Sequence, residues 1–227
     1  MEYLHWDEKT ITDFSEKAVT GMYNQGYVFT RIGKGVMHQT RSVRIDLSRF
    51  ELSSENRRIL RKINGEKNAS ITQLDANPLP LTDYSWSLGK LAKDFYETKF
   101  GAGIMSAQKI KEILTDSNKS NFNSLLEYTQ SDAFVGATIT YANKDILHYS
   151  YPFYDINTAS KDMGLGMMIM AIHHAKESGM KYIYLGSLQR PTDTYKLQFA
   201  GLEWFDGGPN GTQKWSDDME KVKEILK

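Results

Sequence analysis

Cysteine is absent from the 227 residues, which removes disulfides, a thiol nucleophile, iron–sulfur clusters and cysteine-ligated zinc from consideration. Long apolar runs are absent too. Met163–Ile172 is the longest, it is interrupted by Gly164 and Gly166, and it falls far short of the ~20 residues that span a bilayer. The opening MEYLHWDEK is acidic and aromatic, unlike a secretory leader, so a cytoplasmic protein without membrane contact is expected. There is no net charge, with 28 Lys+Arg against 28 Asp+Glu. Of the five histidines, His5, His38, His148, His173 and His174, none forms an H-x-x-x-H pair. His173 and His174 are adjacent, so on a helix they point about 100° apart and do not chelate one metal together. No metal is expected. Neither a G-x-S-x-G elbow nor a G-x-x-x-x-G-K-[ST] loop occurs.

What is present is an ordinary globular composition, 40% hydrophobic and 25% charged, in a chain long enough for one large core or two lobes. Its charge is segregated. Residues 31–62 hold nine cations against Asp46, Glu51 and Glu55, a net +6, which leaves −6 elsewhere. Such a segment suits a polyanion, although a solvated face has the same composition. Elements are expected as follows: a helix near Thr12–Tyr23; strands at Tyr27–Ile32 and Val43–Leu47 around a Gly33/Gly35 turn; a helix over 54–63; a loop at Asn77–Pro80; and helices at Ser85–Phe100 and Ser106–Leu114. The 54–63 helix sets Ile59, Leu60 and Ile63 on one side and Arg57, Arg58, Arg61 and Lys62 on the other. Strands at Ala133–Ala142 and Ile146–Tyr154 then precede a helix over 164–178 that stops at Gly179. A strand at Lys181–Leu185, a short helix at Thr192–Phe199, a strand near Thr212–Trp215 and a final helix capped by Ser216 complete the order. This is an α+β order. The expected division is an N-terminal region, 1–130, carrying the basic segment, and a core over 131–227.

Lys161-Asp162-Met163-Gly164-Leu165-Gly166 is expected as a glycine loop between strand and helix. There the amides of Gly164, Leu165 and Gly166 can face an anion, with Lys161 beside them; glycines also serve tight turns for steric reasons alone. The order strand, [Gln/Arg/Lys]-x-x-Gly-x-Gly, helix, strand, then a helix bearing Tyr195, resembles the GNAT acyltransferase fold. That resemblance implies a mixed central sheet flanked by helices, with the loop cradling the pyrophosphate of acyl-coenzyme A. A narrower resemblance rests on three stretches. Tyr27–Lys62, especially Arg41-Ser42-Val43-Arg44 and Arg57-Arg58-Ile59-Leu60-Arg61-Lys62, is similar to the N-terminal motif of arginyl-tRNA–protein transferases and their bacterial leucyl-transferring relatives. Pro152-Phe153-Tyr154-Asp155 with Gly164-Leu165-Gly166, and Tyr182-Ile183-Tyr184-Leu185-Gly186 with Tyr195-Lys196, resemble that family's later motifs. Phe199-Ala200-Gly201 is also similar to the Fem peptidyltransferases. Where the family has paired cysteines, this chain has Met37 and Thr40.

The resemblance implies transfer of arginine or leucine from charged tRNA to a protein's N-terminal amine, with aminoacyl-tRNA as co-substrate and no separate cofactor. Such a reaction needs alignment, oxyanion stabilisation and a proton for the leaving ribose oxygen rather than a strong base. Tyr195 is the candidate acid, Lys196 a partner for the terminal phosphate, and Asp155 a holder of a cationic donor side chain or an amine. Lys161 and Gly164–Gly166 form the anion loop. Tyr154, Tyr184 and Gly186 line the substrate, and Arg41, Arg44, Arg57, Arg58, Arg61 and Lys62 meet tRNA. Each has a plainer alternative: Tyr195 as a half-buried aromatic, Lys196 as a surface lysine, Tyr154-Asp155 as a strand end, Tyr182 and Tyr184 as strand packing. A coenzyme A-dependent N-acyltransferase and a non-catalytic tRNA- or peptide-binding module are the other two readings.

Overall fold

The computed structural model describes residues 3–65, 73–130, 133–157 and 159–227. The chain forms two compact units, each assembled from separated stretches. One comprises 1–53, 143–148 and 175–227; the other comprises 54–142 and 149–174. The boundary expected at 130/131 therefore lies inside the second unit.

The first unit begins with a three-stranded antiparallel sheet, order β1-β3-β2, made of β1 (Asp7–Thr10), β2 (Tyr27–Phe29) and β3 (Val36–Gln39). Helix α1 (Glu16–Asn24) precedes β2 and is capped by the Ser15 side chain, which accepts the Ala18 amide. β4 (Ser42–Asp46) lies between two antiparallel partners, β10 (Leu202–Asp206) and β9 (Tyr182–Ser187). β10 also pairs with β11 (Lys214–Ser216). β9 pairs in parallel with residues 146–148 of β8 (Ile146–Tyr154). Parallel neighbours need a crossover between them, and α5 (Met163–Glu177) supplies it in sequence. The fold is thus α+β with a mixed sheet. Val43, Ile45, Ile183, Tyr184 and Trp204 bury the faces of these strands. Ser216 does not cap the last helix, α6 (Met219–Ile225): Asp218 does, accepting the Lys221 amide at 3.0 Å.

The second unit holds an antiparallel run β7-β6-β5, from β5 (Gln73–Pro78), β6 (Ser124–Gln130) and β7 (Ala133–Ala142). With it go α2 (Ser54–Gly65), α3 (Trp86–Phe100) and α4 (Ala107–Thr115), the latter two capped by Ser85 and Ser106. The loop expected at Asn77–Pro80 is instead partly strand, because Asn77 and Pro78 pair with Leu125 and Ser124 at the end of β5. The helix expected from 164 begins at Met163, so Gly164 and Gly166 are helical residues, not a loop. Gly166 is required by packing: a Cβ there would stand 2.4 Å from Ile63 Cδ1 on α2. No helix among the described residues is long and apolar enough to cross a membrane.

Candidate functional site

In the first unit the chain turns sharply where β9 ends. Gly186 has φ +77°, a left-handed conformation that side chains resist. A Cβ at this position would lie 4.0 Å from the Lys196 ammonium. Lys196 comes from the 3₁₀ helix Pro191–Gln198 that follows. It is 8% exposed, and its Nζ donates to the Ser187 carbonyl at 2.9 Å. Burial lowers its pKa to about 8, with Asp193 opposing and Arg190 reinforcing the shift. The plainer reading of Lys196 as a surface lysine is therefore overturned. Tyr195 is its exposed neighbour, with 45% of its surface accessible and its ring centroid 5.9 Å from Lys196 Nζ.

Residues outside the expected site set fix this corner. Asp193 accepts the amides of Gln189 and Arg190 at 2.8 and 3.0 Å. The Gln189 amide nitrogen donates to Ser187 Oγ at 2.8 Å, Thr40 Oγ1 at 2.9 Å and Leu4 O at 3.1 Å, while its oxygen accepts the Leu4 amide at 2.7 Å. The Tyr3 hydroxyl is 3.0 Å from Ser187 Oγ. Thr40 also donates to Leu4 O at 2.7 Å. Thr40 thus has a buried hydroxyl engaged as donor and acceptor. His148 is buried with Nδ1 2.8 Å from the Tyr23 hydroxyl. Burial, with the Lys196 charge, lowers its pKa to about 3, so it is neutral near pH 7. No cluster of the kind needed for a metal, three His, Cys, Asp or Glu together, occurs among the described residues.

Two expected contacts do not fit. Tyr184 is fully buried, its hydroxyl 3.4 Å from Asn24 Oδ1, so it packs the strand and does not line a substrate. Arg44 is 8% exposed and held by hydrogen bonds and ring contacts. Its Nε donates to Glu203 at 2.8 Å and Nη1 to Asn24 at 3.1 Å. The guanidinium stacks 3.9 and 4.0 Å from the centroids of Tyr182 and Trp215. It is a buried structural cation, not a phosphate contact. Arg41 is half-buried, with Nη1 donating to Leu188 O at 3.3 Å and Nε buried without a partner among the described residues; burial lowers its pKa.

In the second unit, the amides of Gly164 and Leu165 belong to the first turn of α5, where a helix offers no carbonyl partner. The Gly166 amide donates to Asp162 O at 2.8 Å, so it is not available to an anion, contrary to expectation. Lys161 is exposed in the turn before the helix. Lys62 is tied to Asp162 at 2.8 Å, which lowers the Asp162 pKa and removes Lys62 from the expected phosphate-facing set. Arg57, Arg58 and Arg61 remain exposed on α2; Arg58 forms an i,i+3 pair with Glu55 at 2.6 Å. Tyr154 is 9% exposed, its ring 4.8 Å from that of Phe95. With Asp155, Ile156 and Asn157 it forms one wall of a cleft of about 310 Å³. The other wall is the Ser87, Lys90, Leu91, Asp94, Phe95, Thr98 stripe of α3.

The molecule is thus an α+β protein in which a parallel strand–helix–strand passage leads to a buried lysine. The model of the family described as Arginine-tRNA-protein transferase, C terminus, matches residues 91–206, and the chain belongs to that family. An aspartate/glutamate leucyltransferase of Ruegeria pomeroyi is 30% identical over 172 residues, covering 74% of this chain and 60% of the relative's length. One of Alkalilimnicola ehrlichii is 28% identical over 194 residues, covering 83% and 77%. The solved structure of L-PGS from Bacillus licheniformis overlays 77% of this chain and 52% of that chain, at 13% identity and a TM-score of 0.48.

Proposed function

We propose that this chain moves an aminoacyl group, leucyl or arginyl, from charged tRNA to the α-amine at a protein's N-terminus. The observation that carries the reading is the buried ammonium of Lys196, 2.9 Å from Ser187 O and beside the exposed Tyr195, within the stretch matched by the family. The named relatives support leucine as the donor residue and aspartate or glutamate as the acceptor residue.

The donor ester is already activated, and an α-amine with pKa near 7.7–8.0 is partly neutral at physiological pH. The amine nitrogen attacks the ester carbonyl carbon. The C–N bond forms, the bond from that carbon to the ribose oxygen breaks, and the amine's proton ends on the departing oxygen. Lys196, with a pKa of about 8, is mostly cationic at pH 7 and suits a developing oxyanion or the terminal phosphate. The Tyr195 hydroxyl suits the leaving oxygen. Arg57, Arg58 and Arg61 suit the tRNA backbone. The amides of Gly164 and Leu165, with Lys161, offer a further anion contact. Reaction with a soluble charged tRNA also fits a cytoplasmic location.

The experiment supplies purified chain with radiolabelled leucyl- or arginyl-tRNA and peptides beginning with Asp, Glu, Arg or Lys. Label is expected on a peptide. Tyr195→Phe should lower the rate about 10²-fold or more. Absence of transfer to every peptide, with acetyl transfer from acetyl-coenzyme A instead, overturns the reading.

A further inference from the structure

Residues 3–10 run from the Lys196 corner out along β3, and the residues that hold them all belong to the first unit. Much of that hold is directed at the main chain. Gln189 accepts the Leu4 amide at 2.7 Å and donates to the Leu4 carbonyl at 3.1 Å, and Thr40 Oγ1 donates to the same carbonyl at 2.7 Å. The Trp6 amide donates to Gln39 O at 2.8 Å, and β1 then pairs with β3 from Asp7 opposite Gln39 to Thr10 opposite Val36. Side chains add the Tyr3 hydroxyl on Ser187 Oγ, Asp7 on the Tyr27 hydroxyl, and Glu8 at 2.8 Å from His38 Nε2. The Trp6 indole lies on Gly207 and Gly208, where a Cβ would stand 2.4 and 2.9 Å from the ring. β1 is an edge of its sheet and exposed along its length. The segment also has a direction. Its N-terminal side lies on Ser187, whose carbonyl holds Lys196, and the chain leads away from there.

A surface that pairs with N–H and C=O groups takes extended peptides of many sequences, because the main chain is common to all of them. We propose that the edge of β3 at Gln39 and Thr40, together with Gln189, docks the acceptor protein's N-terminal segment in the place and direction now held by residues 4–10. This deepens, and rests on, the transferase reading above. The acceptor's first residue takes the Leu4 position, with its α-amine at Gln189 Oε1, on the side of Ser187 and the Lys196 ammonium. The opposite direction would carry the amine to the far end of β3, away from Lys196. β1 buries none of its own residues, so exchanging it for another strand costs main-chain pairing that the newcomer restores. Residues 3–10 are tethered, so they occupy the surface at high effective concentration and compete with the acceptor.

The lack of native cysteine allows the segment to be locked. Glu8 and His38 stand directly opposite, so Glu8→Cys with His38→Cys closes a disulfide that fastens the segment, and dithiothreitol reopens it in the same molecule. The probe is the peptide Asp-His-Trp-Asp-Glu-Lys-Thr, the segment's own sequence from His5 onward behind an aspartate, with fluorescein on its last residue; anisotropy measures its binding. The reduced protein should bind the probe about tenfold or more tighter than the oxidised protein. Trp6→Ala in the full chain takes the indole off Gly207 and Gly208 and loosens the segment. It should tighten the probe about threefold or more, compared at equal folded fraction by circular dichroism, and it decides the matter alone if the double variant does not fold. An acetylated peptide of residues 3–10 should displace the probe. Undetectable probe binding to Trp6→Ala, binding unchanged or weakened by Trp6→Ala, or equal binding by the oxidised and reduced forms overturns the proposal. The two readings fail separately. Leucine transfer to the probe with the same KM in oxidised and reduced forms removes the docking surface alone. Lock-sensitive probe binding without transfer from any charged tRNA removes the transferase reading and leaves the surface as a peptide site.

Discussion

At the scale of a residue, Lys196 shows how far a motif differs from an environment. The Tyr195-Lys196 pair was visible in the sequence, but nothing in it distinguished a surface amine from a buried one. That is decided by Gly186, Ser187 and Asp193, which close around the lysine only after folding. Its burial has a measurable sign. A lysine near 8 in the folded state and near its ordinary value of 10.5 when unfolded binds more protons unfolded across that interval. Stability therefore rises with pH between about 8 and 10.5. Below 8 the full cost of keeping an ammonium in that corner is present. In urea denaturation, Lys196→Met should be more stable than the natural chain at pH 7 by a margin that shrinks as pH rises towards 10. A pH-independent difference would show that the ammonium is hydrated in the folded state.

At the scale of an element, Gly166 is a glycine kept for packing rather than for conformational freedom. It lies within α5, where glycine costs about 1 kcal/mol relative to alanine, and it lets Ile63 of α2 approach. Gly166→Ala should destabilise by about 1–3 kcal/mol, the usual range for overpacking, and Gly166→Ala with Ile63→Ala should recover part of that loss in a denaturation series. The same position explains a misreading. Two glycines after a strand read as a loop because the reason for them is a neighbouring helix that sequence spacing does not reveal. The long helices and the β8–α5–β9 order were legible, since their apolar periodicity and the Ser85 and Ser106 caps are local signals. β1 was not, because Asp7–Thr10 is exposed along its whole length and exists only through its register with β3. β5 was hidden by Asn77 and Pro78, turn-forming residues tolerated at a strand's end. The cleft was legible only through Asp155; its α3 wall came from a stripe that reads as an ordinary helix face.

At the scale of the whole molecule, the basic segment divides into two kinds of cation. Arg44 and Arg49 both reach Glu203, and Lys62 reaches Asp162, so part of the +6 neutralises charge inside the fold. Arg57, Arg58 and Arg61 face solvent. Arg44→Ala should cost about 3 kcal/mol, at the low end for breaking a buried pair because Glu203 keeps Arg49. Arg58→Ala and Arg61→Ala should each change stability by less than about 0.5 kcal/mol. Both should lower tRNA affinity, and each lost phosphate contact should reduce the slope of log K against log salt by about 0.7–0.9. Equal tRNA binding by the natural chain and the double variant would remove the α2 face from the interface.

β4 sits between β9 and β10, and its residues, Ser42–Asp46, lie outside the 91–206 stretch that the C-terminal family model matches. A fragment begun at residue 91 would therefore leave two raw strand edges where one ribbon now seals them, and edges of that kind recruit other chains. The stretch matched by the family model and the stretch that closes the sheet are different lengths of this polypeptide.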